Sequence, residues 1–348
     1  MQKILNKIYD SKYLSQEESY KLFKSISSGR IKDVQLASVL IAMRIRGEST
    51  EEIIGAIYAF SENMKYFPRP SYVFSDIVGT GGDSKNTINI STASAFVAAT
   101  CGYKIIKHCN QGISSKSGSS DLLKKFNINL YASSKKSRKS LDELNICFLF
   151  APKYHHGFQY SNNVRKILKT KTILNILGPF LNPALPPLSV IGVYNKKLIG
   201  PAVQILKYLK YKRSIVLHGN DTDEVSLNGI TYVSELFNGK VISYELGPQD
   251  FGLKIHTEKL FTESSLEENY HIISQTMQGK GHRLHEELIA VNVALLFKVF
   301  GKENLKENTQ LALDKIRSGD VYKHIRNVAE MLKEDNYARD NTEKNYIR

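Results

Sequence analysis

Asp76-Ile77-Val78-Gly79-Thr80-Gly81-Gly82-Asp83 is the stretch that decides the fold: an apolar strand runs into three glycines within four positions. A polar loop follows, and a helix, STASAFVAATCG, opens near Ser91-Thr92. Glycines without a Cβ let backbone amides close on a ligand, and a helix N-terminus favours an anion by about 0.3–1 kcal/mol. The unit therefore has the build of a phosphate site. It is not a Walker loop, which needs GKS or GKT, and no GxGxxG opens the helix as in a dinucleotide fingerprint. Taken alone, such a turn is as readily structural.

A second unit of the same kind follows at once. The strand YKIIKH ends in Lys107-His108-Cys109-Asn110 and passes through Ser114, Ser115, Lys116, Ser117, Gly118, Ser119 and Ser120 into the helix DLLKKF. Hydroxyls, a lysine and another helix start again suit an anion. Two adjacent strand–loop–helix units imply a parallel sheet and a ligand with two anionic ends. The strands NICFLFA, LSVIGVY and SIVLHG continue the alternation.

Upstream, residues 1–66 read as helices: QEESYKLFKSIS, VQLASVLIAMRIRG and STEEIIGAIYAFSENM carry apolar residues at three- and four-residue spacing. Gly29 and Gly47 stand at C-cap positions, and Ser49 with Glu52 forms a capping-box pattern. Phe67-Pro68-Arg69-Pro70 breaks the period and marks a boundary. The expected architecture is α/β: a small N-terminal helical domain (1–66), and a large α/β domain with a mainly parallel central sheet in two parts, 72–160 and 184–333. A helical segment at 161–183, containing SNNVRKILKT, is inserted between them and returns to the small domain. The tail 334–348 has little to bury and is expected to fray.

Composition narrows the partners. The 348 residues, 42% hydrophobic and 24% charged, are enough for about two globular domains. Lysine and arginine number 48 against 34 acids, a net charge of +14 that favours phosphates, nucleic acid or an acidic membrane. Lysine-rich coding bias in a chain without tryptophan accounts for the excess equally well. Cys101, Cys109 and Cys147 cannot all pair and lack metal-ligand spacing, which suits a reducing cytoplasm. The start MQKILNKIYDSKYL has no signal-peptide h-region, and no apolar stretch is long enough to span a bilayer.

Asp223-Glu224, after SIVLHG, could hold a hard cation such as Mg²⁺ together with substrate phosphates. Acidic doublets are common on surfaces, and Asp142-Glu143 reads as one of those. His155-His156 and His282 with His285 lack a third ligand at metal spacing and read as polar packing or helix-start residues. No GxSxG elbow is present.

DIVGTGGD, NISTASAFVAA, SSKSGSSDLL, FLFAPKYH, TILNILGPFLNPA, DEVSL and PQDFGL, in that order over Gln16 to Phe300, resemble the anthranilate phosphoribosyltransferase family. The resemblance implies transfer of the 5-phosphoribosyl group from phosphoribosyl pyrophosphate (PRPP) to the amine of anthranilate, in tryptophan biosynthesis. It places PRPP against Gly79, Gly82, Asp83, Thr87, Asn89, Ile90, Ser91, Thr92, Lys107, Ser115 and Ser119. It assigns two Mg²⁺ ions to Ser91, Asp223 and Glu224, and anthranilate to Gly79, His108, Asn110 and Arg165. It also implies a cytoplasmic homodimer with no membrane and no specific nucleic-acid partner, and no classical acid or base. Where the family reads KHGNR, this chain has Cys109 and Gln111; a side chain in place of that glycine would restrict the backbone if φ were positive there. The rival readings are a pyrimidine nucleoside phosphorylase, which shares the fold but does not need Asp223-Glu224 with two metals, and a DNA-binding relative that has lost the chemistry.

Overall fold

In the computed structural model, residues 1–81, 88–110, 118–256 and 265–333 are described. Helices Gln2–Tyr9, Gln16–Ser27, Asp33–Arg46 and Thr50–Ser61 form an N-terminal bundle. Ser15 and Ser49 each start a helix with a complete capping box, so the first turns have their donors satisfied. Glu52 serves twice. Besides its capping bond to Ser49 N, it lies fully buried and accepts both from Arg46 Nη2, at 2.6 and 2.7 Å, and from Leu14 N at 2.9 Å. The carboxylate thereby joins three bundle segments.

Seven strands form one sheet: β1 (Ser75–Gly79), β2 (Ile105–Cys109), β3 (Ile146–Phe150), β4 (Leu188–Gly192), β5 (Arg213–His218), β6 (Thr231–Phe237) and β7 (Lys240–Leu246). Their order is β3-β2-β1-β4-β5-β6-β7, parallel through β5 and antiparallel at β6 and β7. The mainly parallel sheet is as expected. The β6–β7 hairpin adds an antiparallel edge, closed by Asn238-Gly239 with φ of 49° and 78°, the left-handed pair that a tight hairpin turn needs.

Parallel strands are buried on both faces, so alternate residues enter different cores. Val190 joins the cluster under helices Ile90–Thr100 and Arg283–Val299, whereas Ile191 joins the cluster of the N-terminal bundle. Val164, Ile173, Leu174, Leu177 and Phe180, from a segment far along the chain, pack in that bundle cluster too, as does the helix Ile199–Tyr208 through Val203 and Leu206. Among the described residues no helix is long and apolar enough to cross a membrane.

Candidate functional site

The chain steps from β1 outward to β2 and β3, then returns to lay β4 on the other side of β1. The carboxyl ends of β1 and β4 thus flank a topological switch point, where open α/β sheets gather their ligands. Thr80 N donates to Gly192 O at 2.9 Å and Tyr194 N to Thr80 Oγ1 at 3.0 Å, fixing the two strand exits against each other.

The acidic doublet arrives here from more than a hundred residues away. Asp223 Oδ2 accepts from Gly81 N at 2.9 Å. A Cβ on Gly192 would lie 1.7 Å from the backbone Asp223 O, so that strand end must be glycine for this approach, and one on Gly79 would lie 2.4 Å from Asp223 Oδ2 and displace the carboxylate. Asp223 is buried and Glu224 half-buried. Lys107 is buried in the middle of β2, its Nζ donating to Ile77 O at 2.5 Å and to Ser91 Oγ at 3.2 Å. Burial pushes its ammonium pKa down, against the pull of Asp76, Glu224 and Asp223. Asp76 is held by Asn182 Nδ2 at 2.8 Å, and burial raises its carboxyl to about 6 despite the nearby Lys107 charge.

The first turn of helix Ile90–Thr100 carries Ile90, Ser91 and Thr92. Asn89, just before it, donates its backbone N–H to Asn269 Oδ1 at 3.2 Å, a buried amide that the sequence reading missed. Thr92 Oγ1 and Ser120 Oγ are buried without a hydrogen-bond partner among the described residues. Such hydroxyls are usually satisfied, and at two strand–loop–helix turns they fit oxygen-rich anions. Ser119 Oγ donates to Asn110 O at 3.2 Å and so joins the two ends of the second loop. Gly82, Asp83, Thr87, Ser115 and Gln111 lie outside the described residues, as do Ser114, Lys116, Ser117 and the tail 334–348.

Cys109 stands as the last residue of β2, buried, with no positive φ. The thiol faces Leu149 O at 3.7 Å inside the sheet core. The backbone restriction expected from losing a glycine here therefore does not arise, because a strand conformation admits any side chain.

His108 and His155 meet edge to face with centroids 5.3 Å apart. His108 Nδ1 contacts Gly178 O at 3.2 Å and His155 Nε2 contacts Leu181 O at 2.7 Å, so each ring donates to a carbonyl through one nitrogen. The other nitrogens, His108 Nε2 and His155 Nδ1, are buried without a partner. Burial lowers His108 to about 3 and His155 to about 4, keeping both rings neutral. His155 was read as polar packing; it is also the support against which His108 rests. His282 caps helix Arg283–Val299 by accepting from Leu284 N at 3.3 Å, as a helix-start residue should.

Arg165 lies on the short helix Asn162–Leu168, half-buried, with no ion pair among the described residues. Burial holds its guanidinium below the ordinary value. Among the described residues no bond joins it to the strand-end groups. No group of three His, Cys, Asp or Glu among the described residues is placed to hold a metal. The neighbouring carboxylates of Asp223 and Glu224 are the hard oxygen donors that suit Mg²⁺, which keeps most of its shell for water and substrate oxygen.

The fold and site define a glycosyl transferase of the two-domain kind: residues 71–322 match the family model described as glycosyl transferase family, a/b domain, and residues 2–64 match that of its helical bundle domain. Anthranilate phosphoribosyltransferase of Buchnera aphidicola subsp. Acyrthosiphon pisum (strain Tuc7) is 75% identical over 342 residues, 98% of this chain and all of that protein. The crystal structure of the Thermus thermophilus enzyme superposes with a TM-score of 0.87 at 31% identity, covering 95% of this chain and 99% of that one. The Saccharomyces cerevisiae enzyme, 27% identical, superposes at 0.86 in complex with PRPP and Mg and at 0.83 in complex with 4-fluoroanthranilate, with 95% of this chain and 97% of that one covered in each. The chain belongs to the anthranilate phosphoribosyltransferase family.

Two predictions rest on this geometry. Gly192→Ala should destabilise the fold by about 1–3 kcal/mol, since its methyl must displace the Asp223 backbone. Gly200→Ala, which meets nothing within 4 Å, should not, and urea melts of the two variants decide.

The second concerns acid. His108 and His155 resist protonation when folded but not when unfolded, so their contribution to stability is complete above about pH 6.5 and is lost as pH falls toward about 4. Asp76, raised when folded, works in the opposite sense below about 6. His155→Gln should make the acid loss shallower by one proton's worth, about 1.4 kcal/mol per pH unit, in urea melts between pH 7 and 4. An unchanged slope would mean that His155 is protonated in the folded protein.

Proposed function

We propose that the chain transfers the 5-phosphoribosyl group from PRPP to the amine of anthranilate, giving N-(5-phosphoribosyl)anthranilate and pyrophosphate in tryptophan biosynthesis. The observation that carries this reading is the bond from Gly81 N to Asp223, which sets an acidic doublet against a glycine turn at the switch point of a chain from this family.

The PRPP cradle comprises Gly79, Gly82, Asp83, Thr87, Asn89, Ile90, Ser91, Thr92, Lys107, Ser115 and Ser119. The unpartnered Thr92 hydroxyl and the ammonium under Ser91 support it. Ser91, Asp223 and Glu224 would hold Mg²⁺, two ions per site in this reading. Bound there, Mg²⁺ neutralises charge on the departing pyrophosphate. Lys107 fixes the Ser91 hydroxyl, and Gly81 N fixes one oxygen of Asp223, so both groups keep one orientation. Anthranilate lies by Gly79, His108, Asn110 and Arg165. The guanidinium offers a planar two-point grip on the carboxylate. The neutral His108 presents the lone pair of Nε2, which can accept from the substrate amine. An aniline nitrogen is unprotonated at neutral pH, so positioning suffices and no strong base must act first.

The same reading places the enzyme in the cytoplasm as a homodimer, without membrane or specific nucleic-acid partners. Its small domain spans 1–66 and 161–183, and its large one 72–160 and 184–333.

Anthranilate fluorescence should fall when protein, PRPP and Mg²⁺ are combined, and should persist if any one is withheld. Arg165→Lys should raise the anthranilate KM at least about tenfold, equivalent to 1.4 kcal/mol, and leave the PRPP KM nearly unchanged. Equal changes in both constants would give Arg165 a structural role instead.

A further inference from the structure

Helix Arg283–Val299 is buried along almost its whole length, and from Leu288 to Phe297 it carries one polar side chain, Asn292, only 1% exposed between the fully buried Val291 and Val293. An amide in such a run is unfavourable unless its hydrogen bonds are made. Asn292 makes them in two directions. Nδ2 donates to Leu288 O one turn back, at 2.9 Å, which fixes the rotation of the amide and turns Oδ1 outward. Oδ1 then accepts from the backbone N–H of Val225 at 3.3 Å.

Val225 directly follows Glu224, in a stretch between β5 and β6 that has no helix or strand of its own. No backbone ladder holds the acidic doublet, so its position comes from contacts made by single groups. On one side Asp223 Oδ2 accepts from Gly81 N; on the other Val225 N donates to Asn292. Glu224 lies in the chain between these two fixed points. The support behind Asn292 is stiff, since its helix packs on β1, β4 and β5 and on helix Ile90–Thr100.

We propose that Asn292 is a positioning residue for the metal-binding loop, setting Glu224 through the Val225 amide without touching substrate or ion. The inference rests on the reading of Asp223 and Glu224 as Mg²⁺ ligands. Asn292→Leu keeps the branched shape, though not the volume, and suits the apolar helix, but leaves Val225 N without that acceptor. Asn292→Asp can reproduce both bonds only as the neutral acid, its hydroxyl donating to Leu288 O and its carbonyl accepting from Val225 N.

The test is steady-state titration of Mg²⁺ and of anthranilate, with thermal melts to confirm folding. For Asn292→Leu the half-saturating Mg²⁺ concentration should rise at least fivefold while the anthranilate KM stays within twofold of wild type. For Asn292→Asp, relative to wild type at the same pH, the Mg²⁺ requirement should be near normal at pH 6 and raised at pH 8.5. A folded Asn292→Leu with a normal Mg²⁺ requirement, or with both constants raised alike, would overturn the proposal. Should that variant fail to fold, the pH dependence of Asn292→Asp decides, and its absence overturns the proposal. Glu224→Gln separates the two levels: if it raises the Mg²⁺ requirement and Asn292→Leu does not, only the positioning role is lost. If Glu224→Gln leaves the requirement normal, the metal reading falls and the positioning role with it.

Discussion

The site depends on one close approach. The backbone at Asp223 lies where a side chain on Gly192 would be, and its carboxylate lies where a side chain on Gly79 would be. Two strand ends without Cβ atoms let a loop from beyond β5 reach the turn that follows β1. That meeting gathers the centre: the Gly81 amide holds Asp223, while Lys107 of β2 reaches Ile77 O and the Ser91 hydroxyl of the helix that begins at Ile90. Substituting Gly192 would move the acidic loop as a unit, because overpacked backbone has no rotamer through which to yield, whereas a side chain on Gly79 would push the Asp223 carboxylate out of its place.

Around that contact the charges are buried in opposed pairs. Lys107 lies among Asp76, Asp223 and Glu224, and burial works against the ionised forms of both Lys107 and Asp76. A buried ion pair of this kind adds little net stability, since desolvation offsets most of the attraction. Its use here is orientation, because the ammonium can satisfy Ile77 O and Ser91 Oγ only with the strand and helix in register. The paired histidines do the reverse, staying neutral because burial leaves a cationic ring without water or a counter-charge.

Much of this was legible in the sequence, and the failures have identifiable causes. The helical bundle was readable because Ser15 and Ser49 cap helices whose apolar residues recur at helical spacing. The β1 turn announced itself by its glycines. The β6–β7 hairpin is marked by Asn238-Gly239 but escapes the sequence reading, because Ser234-Glu235 and Ser243 interrupt strands in a chain otherwise built on continuous apolar runs. Asp223-Glu224 could not be told locally from Asp142-Glu143, whose Asp142 binds Arg138 on the surface. What separates the two doublets is contact with Gly79 and Gly192, and no local pattern encodes that. Arg165 was readable only through family resemblance. Asn292 is a single amide in an apolar run, visible as an anomaly, whereas Asn269 follows Glu267-Glu268 in a polar stretch and gives no such sign; the partners of both are set only by the folded chain.

The bundle core has a consequence for how the chain is made. Its apolar cluster is closed by Ile173, Leu174 and Phe180 and by the helix Ile199–Tyr208, more than a hundred residues after the fourth helix ends at Ser61. On a ribosome adding about 5–20 residues per second, the first four helices wait on the order of ten seconds for their missing wall. During that interval Leu40, Ile54, Ile57 and Phe60, all buried in the finished protein within a cluster that includes the later segments, lack part of their native cover. The N-terminal helices are therefore not an early-folding unit that later sequence merely joins. They are a half-built core, and the nascent chain is most exposed to chaperones and to aggregation before its middle third has emerged.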